Sequence, residues 1–154
     1  MPIVSNSSPL IALARIQRLD LVPAVLHSIL IPPAVAREIE PSIPVLPAWG
    51  TVKALSQRSL RTSRGRLGDG EREAIALAIE IGADAVLIDE RAGRRVAEDA
   101  GLKVVGTLGL LLEAKRAGHV ATIRAELDKL LETSFFLSPQ LYDHVLRLAG
   151  EHVS

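Results

Sequence analysis

Between Ala74 and Ala117 the chain alternates helix, short apolar run, helix, short apolar run, helix, and the runs between the helices show no alternation of apolar and polar residues. A strand that is apolar on both sides is covered on both sides, which is the situation of a central strand in a parallel sheet flanked by helices. The same kind of run occurs earlier, so strands are predicted at Ile3-Val4-Ser5, Ser28-Ile29-Leu30-Ile31, Ala85-Val86-Leu87-Ile88 and Lys103-Val104-Val105-Gly106, the last nearer an edge. Val45-Leu46 is expected to add a very short fifth strand. Helices fill the gaps. Ser8-Pro9 opens LIALARI, and Leu19–Leu26 follows. Pro33 opens AVAREIE and Pro41 closes it. GEREAIALAIEIG carries an apolar stripe through Ala74, Ile75, Ala78 and Ile81 and stops at Gly82. Arg91–Ala100 and Leu108–Ala117 complete the alternation. The expected fold is α/β, with three α/β/α layers around a central parallel sheet and right-handed crossovers. Val120–Leu131 and Pro139–Leu148 are helical with no strand between them, and are expected across the rim of the sheet or over a partner.

A length of 154 residues suits one domain, 1–154, and SIPVLPAWG is an irregular connection too short to separate two units. Apolar residues make up 48% of the chain and aromatic ones only 3%, so the core is aliphatic. With no cysteine, disulfide frameworks, thiolate nucleophiles, Fe–S clusters and cysteine zinc sites are excluded. The N-terminus lacks a basic region and cleavage site, and prolines interrupt the longest apolar stretch, so a soluble cytoplasmic protein with no membrane partner is expected.

In open parallel sheets ligands bind beyond the carboxyl ends of the strands. That rule selects Asn6 after the first strand, Asp89 and Glu90 after the Ala85–Ile88 strand, and Gly106-Thr107 after the next. Glu38 lies on the helix after the second strand, and Glu71 lies in the first turn of the long helix, where the helix dipole favours an anion. Each has an ordinary alternative as a helix cap or a solvated charge. Their convergence on one edge is the stronger signal. Close carboxylates raise one another's pKa unless a cation neutralises them. Oxygen donors without cysteine or clustered histidine point to Mg²⁺ or Mn²⁺, an ion able to activate water for phosphodiester hydrolysis.

Local charge points toward a polyanion. Lysine plus arginine equals aspartate plus glutamate at 18 each, yet Pro41–Gly68 holds no acid while carrying Lys53, Arg58, Arg61, Arg64 and Arg66. Arg91, Arg94 and Arg95 form a second group just past Asp89, able to hold phosphate or to pair with Glu98 and Asp99. Aromatic platforms for base stacking are scarce, so backbone-directed contact is expected. No GxGxxG follows the first strand, and no GxxxxGK[ST] or G-x-S-x-G elbow occurs.

The segments VSNSSPLIALARIQRLDLV, IPPAVAREI, LGDGEREAIALA, VLIDERAGRRVAEDAGLKVVGTLGLLLEAKRAG and FFLSPQLYDHVLRLAGE together resemble the uncharacterised, toxin-like branch of the PIN-domain family, which is similar to the VapC toxins. The resemblance covers nearly the whole chain. It implies an α/β/α fold, a ribonuclease using Mg²⁺ or Mn²⁺, a homodimer, and a small antitoxin partner. The family's first aspartate falls on Asn6, the hydroxyl two residues later on Ser8, and the remaining acids on Glu38, Glu71 and Asp89. Glu90 stands beside them as an extra or substitute ligand. Asn6 departs from the pattern and removes one negative charge from the implied cation site.

The functional expectation is therefore a metal-dependent endoribonuclease of a toxin–antitoxin pair, with Glu38, Glu71 and Asp89 catalytic. Asn6 would be a neutral metal ligand, Ser8 would position it, and Lys53, Arg58, Arg61, Arg64, Arg66 and Arg91 would receive RNA. The competing expectation is a PIN-like RNA-binding or regulatory protein with weak or absent turnover. A third, more distant one is an unrelated α/β enzyme.

Overall fold

The computed structural model describes residues 2–56 and 67–151. Its strands are β1 (Ile3–Ser5), β2 (Ile29–Ile31), β3 (Gly50–Val52), β4 (Ala85–Leu87) and β5 (Val104–Val105), all parallel in one sheet of order β3-β2-β1-β4-β5. Ile3 pairs with Ala85, Val4 with Leu30, Ile29 with Gly50, and Val86 with Val104. The helices are α1 (Ser7–Arg15), α2 (Leu21–Leu26), α3 (Pro33–Ile39), α4 (Asp69–Ile81), α5 (Arg91–Asp99), α6 (Thr107–Arg116), α7 (Ile123–Leu131) and α8 (Pro139–Leu148). The result is the expected α/β/α arrangement around a central parallel sheet.

Local chemistry explains the boundaries. Pro33 and Pro139 each occupy the first turn of their helix, where the missing N–H costs nothing. The Ser138 hydroxyl accepts from the Leu141 amide and caps α8. Helix α4 turns Ala74, Ile75, Leu77 and Ala78 into the core and ends on Gly82, whose φ of 64° suits a residue without Cβ. Helix α4 lies against β1 and β4, with α5 beside it against β5. Helices α1 and α2 pack with α6, and α3 touches both α1 and α4. Valine, leucine and isoleucine dominate the buried core, with Val4, Val86, Leu87 and Ile88 fully enclosed in the central strands.

One sequence expectation needs correction. The fifth strand is Gly50–Val52, not Val45-Leu46. Pro44 and Pro47 flank the expected pair, and proline offers no N–H to a ladder, so Val45 stays 80% exposed. The chain turns at Pro47–Gly50, where Gly50 N–H donates to the Pro47 carbonyl, and pairs immediately afterwards. The tail helices α7 and α8 pack on α6 and on each other. Among the described residues no helix is long and apolar enough to cross a membrane.

Candidate functional site

Strand β1 lies between β2 and β4, so successive connections leave it in opposite directions and a crevice opens at the carboxyl ends of β1 and β4. Asn6 sits at its base. It is 2% exposed, and its backbone N–H donates to the Leu87 carbonyl at 2.9 Å, extending the β1–β4 ladder by one bond. Its extended backbone starts α1, and its side chain makes no capping bond to that helix.

Glu38 reaches this edge from α3. Its Oε1 accepts from the Ser7 hydroxyl and its Oε2 from the Gly70 amide at 3.1 Å, so one carboxylate joins the first turns of α1 and α4. The amino ends of both helices favour that charge. Gly70 leaves room for the approach: a Cβ there would push the Glu38 carboxylate out of its present position.

Glu71 follows at the third position of α4 and is 7% exposed. Its Oε2 is buried without a donor. Burial, then the neighbouring charge of Glu90, push its carboxyl up to about 7, with Glu38 adding to the rise and the Gly68 amide opposing it. Glu90 accepts from the Ser8 hydroxyl at 2.5 Å. Ser8 therefore holds the acid beside Asp89, a different partner from the Asn6 side chain expected for it. Gly93 on α5 leaves room for Glu71, since a Cβ at that position would strike its Oε2.

Asp89 is tied down differently. Its Oδ1 accepts from the Thr107 amide and its Oδ2 from the Thr107 hydroxyl, both at 2.7 Å. Burial raises its pKa, while these two bonds pull it back; Glu90 adds to the rise and Arg94 opposes it. A parallel ladder explains the arrangement. Ile88 N–H donates to the Val105 carbonyl, so regular pairing would next send the Thr107 amide to the Ile88 carbonyl. Asp89 takes that amide instead, and Arg94 Nη1 donates to the released Ile88 carbonyl at 2.9 Å. The sheet thus splits between β4 and β5 at this point, with both freed backbone groups satisfied by side chains.

The structure places Asn6, Ser8, Glu38, Glu71, Asp89 and Glu90 on one edge, with Glu38 bonded to Ser7 and Gly70, Glu90 to Ser8 and Asp89 to Thr107, while Glu71 is near enough to Glu90 and Glu38 to feel both charges. Among the described residues no three His, Cys, Asp or Glu side chains are grouped to hold a metal ion. Lys53 lies exposed just past β3, and Arg91 is exposed at the start of α5. Arg58, Arg61, Arg64 and Arg66 lie outside the described residues. The site roles of Ser7, Gly70 and Gly93 did not emerge from the sequence, although Ser7 stands directly beside a strand-end position that the sheet rule selects, while that rule selects Thr107 without its bond to Asp89.

The family profile DUF3368, described as a PIN domain, matches residues 2–151. A comparison with curated proteins found no significant match. Among solved structures, a PilT N-terminus domain protein from the hyperthermophilic archaeon Sulfolobus solfataricus P2 is similar, with a TM-score of 0.53 and 15% identity, over 90% of this chain and 100% of that one. At that identity the likeness concerns the fold alone. The family match spans nearly the full chain and agrees with the parallel five-stranded sheet: the chain belongs to the PIN-domain family.

Proposed function

We propose that this PIN-domain protein binds RNA at the carboxyl edge of its sheet and acts as an RNA-binding or regulatory protein, with turnover weak or absent. One observation carries the reading: among the described residues the acids of the edge are not gathered into a three-acid cation site, and Glu38 and Asp89 are each held in place by two protein donors. Asn6 adds an amide where a further charge would strengthen cation binding. The described residues as arranged do not fit a Mg²⁺ or Mn²⁺ centre. RNA remains the ligand because basic residues flank the edge, with Lys53 and Arg91 exposed near strand and helix ends and the arginine-rich stretch preceding α4 in the sequence.

A second reading is favoured by a single feature, the buried Glu71 Oε2 that lacks a donor and faces the charges of Glu90 and Glu38. A divalent cation would relieve that repulsion. This reading makes the protein a Mg²⁺- or Mn²⁺-dependent endoribonuclease, the VapC-like member of a toxin–antitoxin pair, homodimeric and restrained by a small antitoxin. It requires the acids to draw together around the ion, for which each oxygen of Glu38 and Asp89 keeps a second lone pair.

The two readings separate in one assay. Labelled single-stranded RNA is incubated with excess protein and Mn²⁺, then followed by binding and by cleavage, beside Asp89→Ala and Glu71→Gln. The expected outcome is salt-sensitive binding by the wild type and no cleavage above the level of either variant. Mn²⁺-dependent cleavage that both variants lose would establish the nuclease instead.

A further inference from the structure

The split between β4 and β5 leaves Arg94 in an unusual position. On an exposed helix face its ordinary partner would be Glu98, one turn further along α5, in an arrangement that commonly stabilises helices. The guanidinium instead turns back along α5 to the end of β4 and donates from Nη1 to the Ile88 carbonyl. Among the described residues no carboxylate lies within ion-pair distance of it. Asp89 is close enough to feel its charge, but both Asp89 oxygens are engaged by Thr107.

Space has been left for this side chain. A Cβ on Gly106 would lie 2.8 Å from Arg94 Nη1 and 3.0 Å from Asp89 Oδ1. Arg94 is half-buried, so its charge is less screened than that of an exposed arginine. One N–H is spent on a carbonyl, the rest of the planar fork has no acceptor among the described residues, and such a fork matches the oxygens of a phosphate. The surrounding edge is acidic, with Glu38, Glu71, Asp89 and Glu90, so a phosphate can approach favourably only where a cation offsets them. Among the described residues Arg94 is a cation whose charge reaches Asp89 there.

We propose that Arg94 is a phosphate-binding residue, receiving a backbone phosphate of single-stranded RNA in the notch that the β4–β5 split opens, with Gly106 making the room. This rests on the RNA-binding reading above. The alternative role is a strap that fastens α5 to β4 and meets no ligand.

The test is binding of a fluorescent single-stranded RNA over a salt series in EDTA, with a thermal melt of every variant. Without divalent ions neither cleavage nor a bridging cation contributes. Arg94→Gln should bind about tenfold more weakly and lower the steepness of the log–log salt dependence by about 0.7, the value of one single-strand phosphate contact. Arg94→Lys should retain the salt slope. Gly106→Ala should weaken binding with the arginine still present, by displacing its guanidinium. An Arg94→Gln protein whose melt falls while its salt slope stays unchanged would show a strap and overturn the proposal. Unchanged slope and unchanged melt would overturn it equally. If the wild type binds no RNA at any salt, the RNA-binding reading itself fails and takes this proposal with it, a result distinct from the other two.

Discussion

Glu71 concentrates the electrostatics of the edge. Its folded-state value of about 7 lies above the ordinary 4.5, so between those values the folded protein holds a proton that the unfolded chain has released. Stability from this group is therefore full below the ordinary value, declines as pH rises, and is lost once pH passes about 7. Glu71→Gln removes the charge while keeping the shape. The variant should melt higher than the wild type at alkaline pH, by the equivalent of about 1 kcal/mol or more, and the difference should vanish under acid conditions. Thermal melts across the pH range check this, and a constant difference at every pH would show that Glu71 is not the titrating group. The position of Glu71 in the first turn of a helix was plain from the sequence. Its orphaned oxygen was not, because that depends on Gly93 and Glu90 arriving from another helix and another strand end.

Secondary-structure elements meet this edge through side chains inserted into a backbone ladder. Thr107 begins α6, is fully buried, and supplies both donors to Asp89. Thr107→Val preserves size and the amide bond but removes the hydroxyl, leaving Asp89 Oδ2 without that partner. It should destabilise the protein by about 1–3 kcal/mol, as expected for a buried acceptor left unsatisfied, and urea denaturation would measure the change. A cost near zero would mean that water replaces the hydroxyl and that the split is not held by this pair. The strands with unbroken apolar runs were legible, because burial on both faces leaves that pattern directly in the sequence. Strand β3 was not, since an edge strand of glycine, threonine and valine has no such run, and the apolar pair at Val45-Leu46 competed for the assignment. The helices were legible from their prolines, caps and stripes. The exchange of ladder partners at Ile88 was not, because it depends on register between strands separated by a helix.

At the scale of the whole molecule, the topology carries acids from distant parts of the sequence to one edge of one sheet, and that convergence could be read from the strand ends in advance. Whether converging acids form a cation site depends on how closely their side chains are drawn together, which the sequence does not encode locally. Here the Ser7 hydroxyl and the Gly70 amide hold Glu38, Thr107 holds Asp89, and residue 6 contributes no charge. If these acids do not assemble a divalent-cation centre, as proposed, calorimetric titration of Mn²⁺ into the wild-type protein, with Asn6→Asp alongside, will show it. No saturable binding by the wild type is expected up to about 1 mM Mn²⁺, the weak end of protein cation sites, with a measurable gain when Asn6→Asp restores a carboxylate. Saturable stoichiometric binding by the wild type well below that concentration would contradict it.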